Sequence, residues 1–94
     1  MKDELLQIPG IGKRLSEALH NIGVYKMADL NGKNPLHLYE LMCEFEGTRV
    51  DPCVLYTFRC AIYFVETEEP DPQLLKWWNW KNRAFEREAE LWER

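Results

Sequence analysis

Three dipeptides constrain this chain more than any other feature: Asn34-Pro35, Asp51-Pro52 and Asp71-Pro72. Each joins a short polar side chain, able to accept from the first free amides of a helix, to a proline whose fixed φ and missing N–H suit the first helical position. They predict helices beginning near 35, 52 and 72. Glycines supply the ends. Gly23 follows Leu15, Ala18, Leu19 and Ile22, apolar residues spaced i, i+3, i+4, i+7, and Gly47 follows Leu38, Leu41, Met42 and Phe45 with the same spacing. Both read as helix stops. All five prolines and all five glycines fall at a start, a stop or a turn of this scheme, so the fold class it predicts is all-α.

Between these marks, Val24 to Leu30 has room for one or two helical turns and reads as a connector. Pro52 to Val65 is apolar on nearly every side, with Thr57 and Arg59 its plainly polar residues. A strand is typically shorter than this, so the segment reads as the central, most buried helix. A chain of 94 residues, 46% of them apolar, builds one domain with a modest core. An enclosed substrate pocket would compete with that core, which favours binding over catalysis. His20 and His37 have no neighbouring nucleophile pattern, so no catalytic residues are expected. The longest apolar run, Cys60 to Val65, falls far short of the ~20 residues of a membrane span. Asp3 and Glu4 stand where a signal peptide would place its apolar region. Three cysteines without close spacing fit a reducing compartment, so a cytoplasmic protein is expected.

The densest chemistry lies in Leu5 to Leu19. A short helix ending at Ile8, a reversal through Pro9-Gly10-Ile11-Gly12 and a helix from about Lys13 to Ile22 are predicted. Ile8 and Ile11 would turn inward as anchors, while Gly10 and Gly12 permit φ > 0 and leave no Cβ to hold another molecule off the backbone. The first N–H groups of the second helix lack intrahelical partners and sit at its positive end, a ready anion site beside Lys13 and Arg14. This segment resembles the helix-hairpin-helix motif, with Ile8, Gly10, Ile11, Gly12 and Ala18 at the apolar, glycine and small-residue positions. The resemblance implies non-sequence-specific binding of DNA backbone phosphates through Gly10, Ile11, Gly12, Lys13 and Arg14. Such contacts position a protein without reading bases.

A second hairpin follows: a helix ending at Phe45, the turn Glu46-Gly47-Thr48-Arg49-Val50, and the helix from Pro52. With the first it would form a tandem, five-helix, SAM-like helix-hairpin-helix domain over 1–69, followed by a Trp-rich helical extension over 70–94. Only Gly47 remains of the glycine pair here, and Glu44, Glu46 and Asp51 would repel a phosphate, so this half reads as a structural partner. The chain's net charge of −4 is distributed accordingly: +1 over 1–33, −5 over 34–69 and 0 over 70–94. The total therefore limits phosphate contact to one side and makes it weak. Over its first eighty or so residues the chain also resembles the small bacterial pathogenicity-locus family, also labelled mitomycin-resistance-related. Cys43, Cys53 and Cys60 and the run Leu74 to Trp80 carry that likeness.

Cys53 and Cys60 lie seven apart on one helix face, and Cys43 could approach them, with His20 or His37, as a zinc or iron–sulfur set. A close Cys-x-x-Cys pair is missing, so core packing explains them better and no cofactor is expected. Leu74, Trp78, Phe85, Ala89 and Trp92 would share one stripe if a helix ran to the end. Trp77, Trp78, Trp80, Phe85 and Trp92 are then an interaction surface for the core, a protein partner or a second copy. Stacking of exposed bases is the alternative for such a platform, opposed by Glu86, Glu88, Glu90 and Glu93. The expected function is a small non-catalytic module binding DNA backbone weakly through its first hairpin. A protein-interaction or self-association module without DNA binding is the second reading.

Overall fold

The Asn34 cap forms as its sequence predicts: its Oδ1 accepts from the amides of Leu36 at 3.0 Å and His37 at 3.4 Å and opens helix α2, Pro35–Glu46. Gly47 closes that helix in the left-handed region, φ 71°, and its N–H donates to the Cys43 carbonyl at 2.9 Å. The computed structural model describes residues 3–91, in which α1, Lys13–Asn21, and α3, Cys53–Glu66, complete the α-helices. Five 3-10 segments join or flank them: Glu4–Gln7, Met27–Leu30, Pro72–Leu75, Trp77–Trp80 and Glu86–Leu91. No strand occurs among the described residues, so the chain is all-helical.

α3 is the central helix, as its apolar sequence requires. Phe58, Cys60, Ala61 and Ile62 are fully enclosed, and α2 and the 3-10 segment Trp77–Trp80 pack along it. Leu5, Ile8, Leu19 and Leu30 bring the amino-terminal half onto the same core. Each such side chain contributes roughly 1.5–3 kcal/mol of transfer free energy.

The carboxy-terminal part departs from expectation. Asp71 does cap a start, accepting from the Gln73 amide at 2.9 Å, but the segment stops after Leu75 and Lys76 is extended. Side chains take the carbonyls that a continuing helix would use. The Trp80 indole N–H donates to the Leu74 carbonyl at 2.7 Å, and the Asn79 side-chain amide donates to the Gln73 carbonyl at 2.6 Å. The proposed stripe of Leu74, Trp78, Phe85 and Ala89 therefore does not share one helix, and Trp92 and Glu93 lie outside the described residues. Near the amino terminus a single 3-10 turn, Glu4–Gln7, replaces the expected short helix.

A buried ion pair fastens this irregular segment. Arg59 of α3 reaches Glu88 through Nε and Nη2, both at 2.9 Å, and donates from Nη1 to the Trp80 carbonyl at 2.8 Å. Glu88 also accepts from the Phe85 amide at 2.8 Å, so the chain is wrapped around the guanidinium. Glu88 is thus an internal group, where the sequence set it among the carboxylates opposing a phosphate chain. A second bidentate pair, Arg87 with Glu66 at 2.7 and 2.8 Å, ties the same turn to the end of α3.

Candidate functional site

The reversal between Glu4–Gln7 and α1 is built from the inside outward. Ile8 and Ile11 are buried, and the Ile11 amide donates to the Ile8 carbonyl at 3.1 Å, closing the turn over its own anchors. Asp3 locks the two arms together. Its carboxylate accepts from the Leu5 amide at 3.0 Å and from the Ser16 hydroxyl, and His20 Nε2 lies 3.4 Å away. The Ser16 hydrogen bond, before the Leu5 amide and the His20 charge, holds the Asp3 carboxyl below its ordinary range. Glu4 accepts from the Met27 amide at 2.6 Å and anchors the turn to the connector.

The two glycines do different work. Gly10 has φ +85°, as expected, but a Cβ there would meet Thr57 Cγ2 at 3.2 Å and Trp77 Cδ1 at 3.6 Å. Its missing side chain makes room for the protein itself, a packing role that the sequence did not disclose. Gly12 does not use positive φ. It is extended, φ −94° and ψ −176°, and a Cβ built on it meets nothing within 4 Å. Space for another molecule therefore lies at Gly12.

Gly12 is the N-cap of α1 and offers no side chain to its amides; its carbonyl accepts from the Ser16 amide at 2.9 Å. The leading N–H groups of a nine-residue helix are left facing outward with the positive end of the dipole. Lys13 and Arg14 are exposed beside them, and Ile11 supports them from below. Among the described residues, ion pairs join His20 to Asp3, Arg59 to Glu88 and Arg87 to Glu66, and neither Lys13 nor Arg14 takes part in one. The arrangement has the charge and the open amides to receive an anion.

The aromatic residues divide. Trp80 is buried, 5.3 Å from Tyr63 and 5.4 Å from Phe85 between ring centres, so Trp80 and Phe85 serve the core rather than a surface. Trp77 is half-buried against Gly10 and Thr57. Trp78 remains 56% exposed, with its ring 5.6 Å from Trp77 and nearly perpendicular to it. The cysteines also go to three environments. Cys60 is enclosed in α3, where burial pushes its thiol up to about 11, Cys43 accepts from the Val50 amide at 3.4 Å, and Cys53 is exposed beside Asp51. Among the described residues no group of three or more His, Cys, Asp or Glu is gathered as a metal set. No helix there is long and apolar enough to cross a membrane.

Comparison with known proteins adds a family. The family model described as "Pathogenicity locus" matches residues 1–85. The "Mitomycin resistance protein McrB" of Streptomyces lavendulae is 30% identical over 77 residues, which cover 82% of this chain and 70% of that protein. No solved structure matches the chain.

Proposed function

The chain belongs to the pathogenicity-locus family, and from that premise and the geometry of the first turn we propose a small non-catalytic module that binds DNA backbone weakly and without sequence preference. One observation carries this reading: the uncapped amino terminus of α1 opens at Gly12 into clear space, with Lys13 and Arg14 exposed beside it. In this reading the first turn is a helix-hairpin-helix unit, and the turn after α2 is its degenerate partner in a tandem domain over 1–69. Residues 70–94 are the extension, and the compartment is the cytoplasm. The name of the Streptomyces relative describes a resistance and no binding partner, so it adds a setting but no contact.

A single turn that neutralises about two phosphates gives a shallow salt dependence, with a log–log slope near −2. Fluorescence anisotropy of a labelled duplex, titrated across salt, measures it. Gly12→Val combined with Lys13→Glu is expected to abolish binding, because the first fills the clear space and the second reverses the charge. Absence of duplex binding at low salt, or full binding by the double variant, overturns the proposal.

A further inference from the structure

Two surface segments of this acidic chain are free of carboxylates and carry cations: 5–16, with Lys13 and Arg14, and 72–85, with Lys76, Lys81 and Arg83. They are far apart in sequence and adjacent in space. The contact is Trp77 lying over the missing side chain of Gly10, 3.6 Å from where a Cβ would stand. Consecutive Cα atoms are ~3.8 Å apart, so the Gly12 Cα lies within about 8 Å of the Gly10 Cα, and Trp78 is one peptide from Trp77. Arg14 and Trp77 also share a groove with Cys53. All five cations are exposed, and none is ion-paired among the described residues.

Trp78 is placed as a stacking platform. Its ring meets Trp77 at an interplanar angle of 86°, a contact that covers at most one face of either ring. Trp77 is fixed by Gly10, and Trp80 two residues on is anchored in the core, so the exposed indole is held without much loss of its own freedom. The groove beside it also contains Glu17, Glu46 and Asp51, which repel phosphate. Gly12, Lys13, Lys76 and Trp78 do not line that groove and flank the Gly10–Trp77 contact in the chain, so they are the residues left for a polyanion to meet.

We infer that this edge takes unpaired nucleic acid, one base stacking on Trp78 while the flanking phosphates meet Lys76 and the amino terminus of α1. The inference deepens the backbone-binding proposal and rests on it for the phosphate half of the contact. Base stacking on an aromatic side chain strengthens binding whatever the base, because every base has a π-face. A single strand, or a strand leaving a duplex, is thereby favoured over a closed duplex, whose internal bases offer no free face.

The test compares labelled oligo-dT, oligo-U and a blunt duplex by anisotropy, using the full chain, Trp78→Ala, and Lys13→Glu with Arg14→Glu. Trp78 is exposed, and a thermal melt checks that its replacement leaves the fold intact. The expected result is tighter binding of the single strands than the duplex, an approximately ten-fold loss of that preference in Trp78→Ala, and unchanged duplex binding by the same variant. Equal affinity for strand and duplex, untouched by Trp78→Ala, overturns the stacking inference and leaves the backbone reading standing. Single-strand binding that depends on Trp78 and ignores the Lys13 and Arg14 reversals does the opposite. Sedimentation that shows a dimer broken by Trp78→Ala, with no nucleic-acid binding, overturns both.

Discussion

The two turns of this molecule, at Pro9–Gly12 and at Gly47–Asp51, each deliver the chain into a helix, and they treat that helix's amides in opposite ways. At the first, Gly12 offers no cap and the amides of α1 open outward beside two cations. At the second, the Asp51 carboxylate accepts from the Cys53 amide at 2.9 Å, while Glu44 and Glu46 stand exposed nearby. The second turn is also closed on itself, with the Val50 amide donating to Cys43 Sγ and the Tyr39 hydroxyl donating to the Val50 carbonyl. The second turn supplies its helix with a side-chain cap and the first does not. On the proposed reading, an anion site arises from omission of a cap as much as from addition of a cation.

At the first turn Trp77 is held over Gly10 by a segment fastened to Arg59. The sharpest way to break the comparison is Glu88→Ala. Arg59 and Glu88 are 7% and 3% exposed, so the substitution strands a buried guanidinium. The expected loss is about 3–5 kcal/mol of unfolding free energy in a denaturant melt. Where the protein still folds, hydrogen exchange should quicken at Gly10 to Gly12 and stay slow at Gly47 to Asp51.

Paired glycine substitutions come next. Gly47→Ala meets only the left-handed backbone penalty, roughly 1–2 kcal/mol, since its φ is 71° and a Cβ there meets nothing. Gly10→Ala meets the same penalty at φ +85° and also crowds Thr57 Cγ2 at 3.2 Å. Its cost should reach about 2–4 kcal/mol. Equal losses from the two variants would mean that the Trp77 and Thr57 packing adds nothing to the first turn.

A charge test separates the turns in binding. Asp51→Asn keeps an oxygen able to cap Cys53 while removing the charge, so duplex affinity should change by less than about three-fold, the surface charge being screened beyond ~8 Å at physiological salt. Lys13→Glu with Arg14→Glu should lower affinity by about ten-fold or more and flatten the salt slope by about two. Comparable effects from both would erase the distinction drawn between the turns.

Local signals explain what the sequence disclosed. The Asn34 cap, the Gly47 stop and the buried Ile8 and Ile11 each depend on neighbours a few residues away, and each was legible. The Asp71 cap was legible too, but its helix was not, because Trp80 and Asn79 withdraw the Leu74 and Gln73 carbonyls from the backbone ladder. Arg59 and Glu88 are 29 residues apart, and a glutamate flanked by other glutamates gives no sign that it will be enclosed. The division of roles between Gly10 and Gly12, which the sequence treated alike, was hidden for a similar reason. Whether a missing Cβ makes room for a ligand or for Trp77 is decided by a residue 67 positions away.

The smallest expected effect concerns protons at the carboxylates that serve the two turns. Asp3 and Asp51 both titrate below the ordinary value of 3.8, Asp3 chiefly through the Ser16 hydroxyl and Asp51 chiefly through the Cys53 amide. A carboxyl depressed in the folded state binds its proton more readily when unfolded. Its stabilisation is therefore complete above about 3.8 and is lost as pH falls through the lower folded value. Ser16→Ala removes the leading cause at Asp3 and leaves the Leu5 amide and His20 in place. Carboxyl carbon shifts followed by NMR should show the Asp3 midpoint rising in Ser16→Ala while Asp51 stays where it was. Both residues remain ionised at neutral pH, so duplex binding there should not change. A midpoint that moves at Asp51 as well would mean that the arms of the two turns are coupled through the core, and that the first turn's open amides are not set locally by Asp3 and Ser16.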